Sequence, residues 1–182
     1  MRSIASFCRN KDGVAALEFA MILWPMLVLL LGGVEISSLL VVDRKTTAVA
    51  ASLSDLVAQA TTITNNDRDN VFAAGNSLVA PYDSANLKVV ISSVIYQNNQ
   101  PTIAWSDATP GATARAVGSV LPIGDNPGQI PDGLVASGAT VIMAEASYHF
   151  EDATSHLLTG PHEFSATFFN RPRRVIAVGR TP

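Results

Sequence analysis

A single cysteine, Cys8, is all that the chain possesses. No disulfide can close within it, and neither a C-x-x-C redox pair nor a thiolate metal cluster can be built, so the fold must rest on an ordinary core even in an oxidising compartment. Charge is also sparse: 15% of the 182 residues are charged and the net charge is −3. No run of lysine or arginine supplies the basic field that nucleic acid requires, so no nucleic-acid partner is expected. Catalytic signatures are missing as well, with no G-x-S-x-G elbow and no glycine-rich phosphate cradle. His149, His156 and His162 lie near Glu151, Asp152 and Glu163, but their spacing fits neither a helical i, i+4 ligand pair nor a zinc-hydrolase motif, and they read as surface residues of a connector. Asp125, Asn126 and Asp132 offer the oxygen ligands that calcium uses. They match no EF-hand spacing, however, and are equally ordinary turn residues. The chain is therefore read as a non-enzyme with no cofactor and no metal.

What the sequence does have is one long apolar run. From Val14 to Val42 the only ionisable residues are Glu18 and Glu35. As a helix this run is about 40 Å long, more than the roughly 30 Å hydrocarbon core of a bilayer. It is too long for the h-region of a cleaved secretory signal, and no small-x-small site with a polar start follows it. The head before it carries Arg2, Arg9 and Lys11 against Asp12, while the far side opens with the near-neutral Asp43-Arg44-Lys45. The positive-inside rule then puts the head in the cytoplasm and the remainder across the membrane, which for a bacterial inner membrane is the periplasm. The organisation expected is a basic leader over 1–13, a transmembrane helix over 14–42 and a soluble domain over 43–182. Pro25 takes away one helical hydrogen bond and predicts a kink or local unwinding. Gly32 and Gly33 form a second soft point that also lets another helix approach closely. Membrane helices do, however, tolerate both residue types.

The junction itself is the most informative stretch. Lys11-Asp12-Gly13 is followed at once by Val14-Ala15-Ala16-Leu17-Glu18-Phe19. An acid placed inside a membrane helix is costly and marks a functional candidate. Glycine, four residues, then Glu-Phe opening a transmembrane helix resembles the processing site of type IV prepilins, and looks most like the Tad (tight adherence, Flp-type) subclass. Glu18-Phe19-Ala20, Trp24-Pro25 and Gly33-Val34-Glu35 resemble the N-terminal segment of TadE/TadG-like pseudopilins. Ala144 to Phe150, and Phe164 to Arg174 with its Asn170-Arg171-Pro172-Arg173-Arg174, resemble the far end of such proteins. The middle, from about Thr61 to Gly138, carries no signature of this kind. The chain is longer than a major Flp pilin and too short for a TadG-type insert, so a TadE-like (or TadF-like) minor subunit fits best.

The resemblance implies a prepilin peptidase that cuts between Gly13 and Val14. It further implies that Glu18, next to Phe19, sets register by pairing with the terminal amine of a neighbouring subunit, with pairing inside the same chain as the competing arrangement. The partners it implies are the peptidase, the inner-membrane assembly platform, a sister pseudopilin, the major Flp pilin and the lipid bilayer, with the subunit entering the pilus or priming it. Arg171, Arg173 and Arg174 read either as a docking surface or as a solvated tail. The competing function is an uncleaved signal-anchored periplasmic binding module in which the junction motif is accidental.

For the remainder, Val49, Leu53, Leu56, Ala60 and Ile63 recur in steps of four and three. They extend the helix to about Thr62, with the stripe laid on the soluble domain rather than on a coiled-coil partner. Asn65-Asn66-Asp67 ends that helix and caps a second one, which runs to Val79 before Pro81. Leu87 to Tyr96 is β-branched and apolar on both faces and reads as an interior strand. A turn at Asn98-Asn99-Gln100 returns Thr102 to Ser106 antiparallel to it. Ala112 to Leu121 reads as a short helix and Pro122 to Ser137 as a loop. Thr140 to Phe150 alternates, with Ile142, Ala144, Ala146, Tyr148 and Phe150 on the buried face. Glu163 to Asn170 is the last strand, with Phe164, Ala166 and Phe168 inward. The predicted fold is α+β: a long N-terminal helix, half transmembrane and half periplasmic, packed on a small antiparallel sheet in the pilin-like plan.

Overall fold

A computed structural model describes residues 12–98, 100–124, 126, 128–134, 139–151 and 160–182. The first helix, α1 (Asp12–Ala58), is 47 residues long and runs unbroken through Pro25, so the local unwinding expected there is not found. Its two halves live in different surroundings. Trp24 and Leu29 are 72% and 76% exposed, as are most of their neighbours to varying degrees. From Glu35 onward one face turns inward, through Val42, Thr46, Val49, Ala50, Leu53, Ser54 and Val57. Those intervals of three, four and seven keep one stripe of the helix against a core. Each buried Val or Leu contributes about 1.5–3 kcal/mol, so the second half of α1 is held by the domain while the first half is not.

The chain leaves α1 four residues earlier than its apolar pattern predicts. Thr62–Ile63 form a short strand, β1, which pairs in parallel with β6 (Gly179–Arg180) near the C-terminus. Ile63 is thus buried by a strand, not by the helix, and Leu56 points to solvent. The second helix, α2 (Asn65–Val79), starts within the predicted capping stretch, and its cap lies one position before it. Thr64 is its N-cap: the Thr64 hydroxyl accepts from the Asp67 amide, and Asp67 Oδ2 accepts from the Thr64 amide at 3.0 Å. This reciprocal pair satisfies two otherwise orphaned donors, and its hydrogen bonds hold the Asp67 carboxyl below its usual range. Gly75 sits where α2 crosses α1, and a Cβ there would lie 3.0 Å from Leu53 Cδ1. The absent side chain is what allows the two helices to approach.

Four strands form the sheet: β2 (Leu87–Gln97), β3 (Gln100–Ala108), β4 (Thr140–Phe150) and β5 (His162–Asn170), all antiparallel in the order β3-β2-β4-β5. The doubly apolar β2 is indeed interior. β2 and β3 join through Asn98, whose φ is +51°; Asn99 lies outside the described residues. One core lies between α1, α2 and the sheet, with Leu87, Val89, Ile91, Ile142, Ala144, Ala146, Tyr148 and Phe150 contributing from the strands. A second lies on the other face, where Val94, Ile103, Leu121, Ile130, Val141 and Met143 meet. The α+β reading, a long helix on a small antiparallel sheet, therefore holds. Two details differ. Phe168 is 37% exposed, whereas Phe164 and Ala166 pack on the helical core. Residues 112–121 are not helical; instead Ile103 N donates to Ser119 O and Leu121 N donates to Pro101 O along the outer edge of β3. Gly118, at φ +80°, turns the chain to do so. Backbone groups spent on the β3 edge are unavailable to a helix, and they also blunt that edge against foreign strands.

The C-terminal segment acts as a strap that the sequence pattern did not announce. Arg173 N donates to Ala58 O, capping the end of α1. Trp105 Nε1 donates to Val178 O at 2.8 Å. Arg180 lies between β1 and β3: its Nε donates to Asp107 Oδ2 at 2.7 Å and its Nη2 to Asn65 Oδ1 at 2.6 Å.

Candidate functional site

Gly13, Val14, Glu18 and Phe19 all lie in the first two turns of α1 and all are exposed. The i, i+4 spacing puts Val14 and Glu18 on one side of the helix, about one turn apart. Nothing in the described fold approaches them: a Cβ built on Gly13 would meet no heavy atom within 4 Å, and the same is true of Gly32 and Gly33. The close approach that Gly32 and Gly33 permit is therefore not used among the described residues. The bare segment presents Phe19, Met21, Ile22, Trp24, Met26, Leu29 and Leu30 outward together. An apolar surface on that scale is unstable in water and marks a membrane or a partner. Among the described residues, α1 is the one helix long and apolar enough to cross a membrane.

Glu35 differs from Glu18. It is 2% exposed, inside the folded part, although it falls within the 14–42 stretch expected to be transmembrane. The packed core thus begins two turns before Asp43.

The arginine cluster is at the other end of α1, about 60 Å from Val14 at 1.5 Å per residue. Arg173 forms an ion pair with Asp55, and Arg171 Nη2 donates to Leu134 O at 3.0 Å. Both help tie the strap to the domain, whereas Arg174 has no such bond among the described residues. The junction and the arginines therefore do not form one site.

Two polar constellations complete the inventory. On the outer face of the sheet a groove of about 560 Å³ lies between residues 111–115 and β4 and β5, with Lys88, Glu145, Ser147, Ser165 and Thr167 along it. Arg115 crosses it as a two-pronged fork, with Nε to Glu145 Oε2 at 2.7 Å and Nη2 to Glu145 Oε1 at 2.6 Å. The hydrogen bond to Glu145 holds the Arg115 guanidinium above its usual range, and two parallel bonds of this kind fix the orientation of both side chains. Sequence reading missed this pair because its members stand 30 positions apart with no pattern joining them. The second constellation surrounds His149, whose Nε2 is 3.8 Å from Glu151 and whose Nδ1 is 3.9 Å from Glu163, all well exposed. His162 leans on Phe164 with ring centroids 6.5 Å apart. His156, Asp152 and Asp125 lie outside the described residues. Among the described residues no three His, Cys, Asp or Glu side chains are arranged to hold a metal.

No curated protein and no solved structure matches the chain. Residues 13–52 do match a protein-family model, described as TadE-like protein. The match starts at Gly13 and takes in both the bare turns of α1 and the first packed ones; the sheet lies outside it. The resemblance drawn from Gly13 to Glu35 is thereby borne out, and the chain carries a TadE-like N-terminal segment.

Proposed function

We propose that this protein is a minor pseudopilin of a Tad/Flp-type pilus assembly system. A prepilin peptidase cuts it after Gly13, and it helps initiate or prime assembly at the inner membrane. The head is cytoplasmic, the bare half of α1 spans the bilayer and the sheet domain is periplasmic. The observation that carries this reading is the change along α1: exposed and, Glu18 apart, apolar from Val14 to Val34, with one face packed on a domain from Glu35. A single continuous helix joins the two, so the domain is rigidly coupled to whatever the membrane half contacts. TadE-like pilus components are typically structural rather than enzymatic, in keeping with the fixed Arg115–Glu145 pair in the sheet groove.

Glu18 has the assembly role. Within lipid its charge needs a partner. The new Val14 amine of a neighbouring subunit supplies one, and the sister pseudopilin, the major Flp pilin and the assembly platform are the partners reached through this helix. Gly13→Ala should block processing, while Glu18→Ala should leave processing intact and abolish or sharply lower piliation. Normal piliation with Glu18→Ala would eliminate the pairing role. An uncleaved signal-anchored binding module would tolerate both substitutions.

A further inference from the structure

The bare and packed halves of α1 overlap, and the overlap gives the domain a defined height above the membrane. Starting at Val14, a hydrocarbon core of roughly 30 Å is filled by about 20 residues, ending near Val34. Yet the outward face of α1 remains apolar beyond that point: Ile36 is 61% exposed, and Leu40 and Val41 are also open. Over the same two turns the inward face already carries Glu35, Leu39 and Val42 in or against the domain core. The lowest part of the domain therefore sits level with the end of the apolar run.

What stands there is the turn after α2. Tyr82 lies beside α1 and closes a groove of about 470 Å³ lined by Leu29, Leu30, Gly33, Val34, Ser37, Ser38 and Val41. The turn is held firmly. Lys45 Nζ, one turn above Val41, donates to Leu78 O at 3.2 Å and to Ala80 O at 2.5 Å. Tyr82 also packs edge-on to Tyr148 and Phe150, with ring centroids 6.4 and 5.9 Å apart. Leu29 and Leu30 line the end toward the middle of the membrane. Toward the domain Ser37, Ser38 and the tyrosine add hydroxyls to a wall that Val41 keeps partly apolar, and the Ser37 hydroxyl donates to Gly33 O at 2.8 Å.

We infer that this groove is a lipid site: an outer-leaflet phospholipid lays an acyl chain along Leu30, Gly33 and Val34, with its glycerol ester region beside Ser37, Ser38 and Tyr82. The inference rests on the reading that α1 spans a bilayer. The hydroxyls of Ser38 and Tyr82 favour lipid over a second helix, because they fall only at the height where the ester region of a leaflet lies. Tyrosine at this height is also what a membrane interface selects. Tyr82 then serves as a second point of contact, fixing the tilt of the domain that α1 alone would leave free.

The test uses the full chain in nanodiscs of phosphatidylethanolamine and phosphatidylglycerol. A Cys8→Ser background carries one spin label at a time, introduced by Tyr82→Cys, Ser84→Cys, Leu30→Cys or Val117→Cys. Accessibility to oxygen and to a water-soluble nickel complex is measured. The label at 82 should lose nickel accessibility to the level seen at 30, and the label at 84 should fall between those at 30 and 117. A label at 82 as open to nickel as that at 117, with 30 protected, overturns the lipid site while leaving the membrane anchor standing. If 30 is itself open to nickel, the spanning reading fails and the lipid site with it. Protection at 82 that appears only at low lipid-to-protein ratio means that protein covers the groove, which also overturns the inference. Should Tyr82→Cys unfold the domain, the label at 84, where Tyr82 is kept, decides: accessibility equal to that at 117 refutes the site.

Discussion

Replacing Arg180 with methionine should loosen the C-terminal strap and destabilise the whole domain. The side chains of Arg180 and Asp107 are 18% and 16% exposed, so the pair is largely withdrawn from water. Two guanidinium nitrogens reach the carboxylate, Nε at 2.7 Å and Nη2 at 3.2 Å, and a third interaction goes to Asn65. The hydrogen bond to Asp107 raises the guanidinium above its usual range, the sign expected of a stabilised cation. An exposed pair contributes about 0–1 kcal/mol, and breaking a fully buried one costs about 3–5 kcal/mol. With less than a fifth of each side chain exposed, Arg180→Met should cost about 2–3 kcal/mol, close to the buried limit because Asp107 is left without its cation. In a domain of this size that corresponds to a fall in Tm of about 5–10 °C. Thermal unfolding of the full chain in detergent, followed by circular dichroism, measures it. Asp107→Ala and the double variant complete a cycle, in which a coupling of at least about 1 kcal/mol is expected. A Tm change under about 2 °C together with a coupling below about 0.5 kcal/mol would refute the clamp and leave the strap to its other ties, the Trp105–Val178 bond, the β1–β6 pairing and the contacts of Arg173.

Alkaline pH should act through Tyr148. Burial of its ring, with the carboxylate of Asp83 nearby as a smaller cause, raises its hydroxyl above the usual value of 10.0. Because the folded value is the higher one, its contribution is complete below the unfolded pKa and is lost as pH rises through the folded pKa. Urea unfolding from about pH 9 to 11 should show stability falling at the upper end, and Tyr148→Phe should remove that slope while costing about 1 kcal/mol at neutral pH for the bond to Asp83 O; an unchanged slope contradicts the assignment. Gly75→Val should separate α1 from α2, since even a Cβ lies 3.0 Å from Leu53, and overpacking at the crossing should cost about 1–3 kcal/mol by denaturant melt. An unaffected midpoint would mean that the helices yield freely at this point.

How much of this could be read in the sequence depended on the range of the interaction. Local periodicity delivered α1, α2 and the strands. The alternation from Ile142 to Phe150 marked the face of β4 that packs on the helices, although Val141 and Met143 bury the other face at its start, and the doubly apolar run of β2 placed it inside the sheet. Features made by distant partners stayed hidden. Residues 112–121 have helical composition, yet they lie along β3 because that edge needs their backbone groups. The ends of α1 and β1 are decided by Gly179 and Arg180, more than a hundred residues away, and no pattern near Thr62 signals them. The TadE-like segment that starts at Gly13 was legible because its signal is the order of residues along a helix. The height of the domain on that helix was not, because it takes Tyr82 and Phe150 to show it.

The central claim is that the chain is cut after Gly13 to free Val14 at the membrane surface. Intact-mass analysis of the protein extracted from membranes of cells with and without the prepilin peptidase tests it directly. A mature chain beginning at Val14, produced only when the peptidase is present, is the predicted result. A chain that keeps Met1 with an active peptidase present would contradict the account.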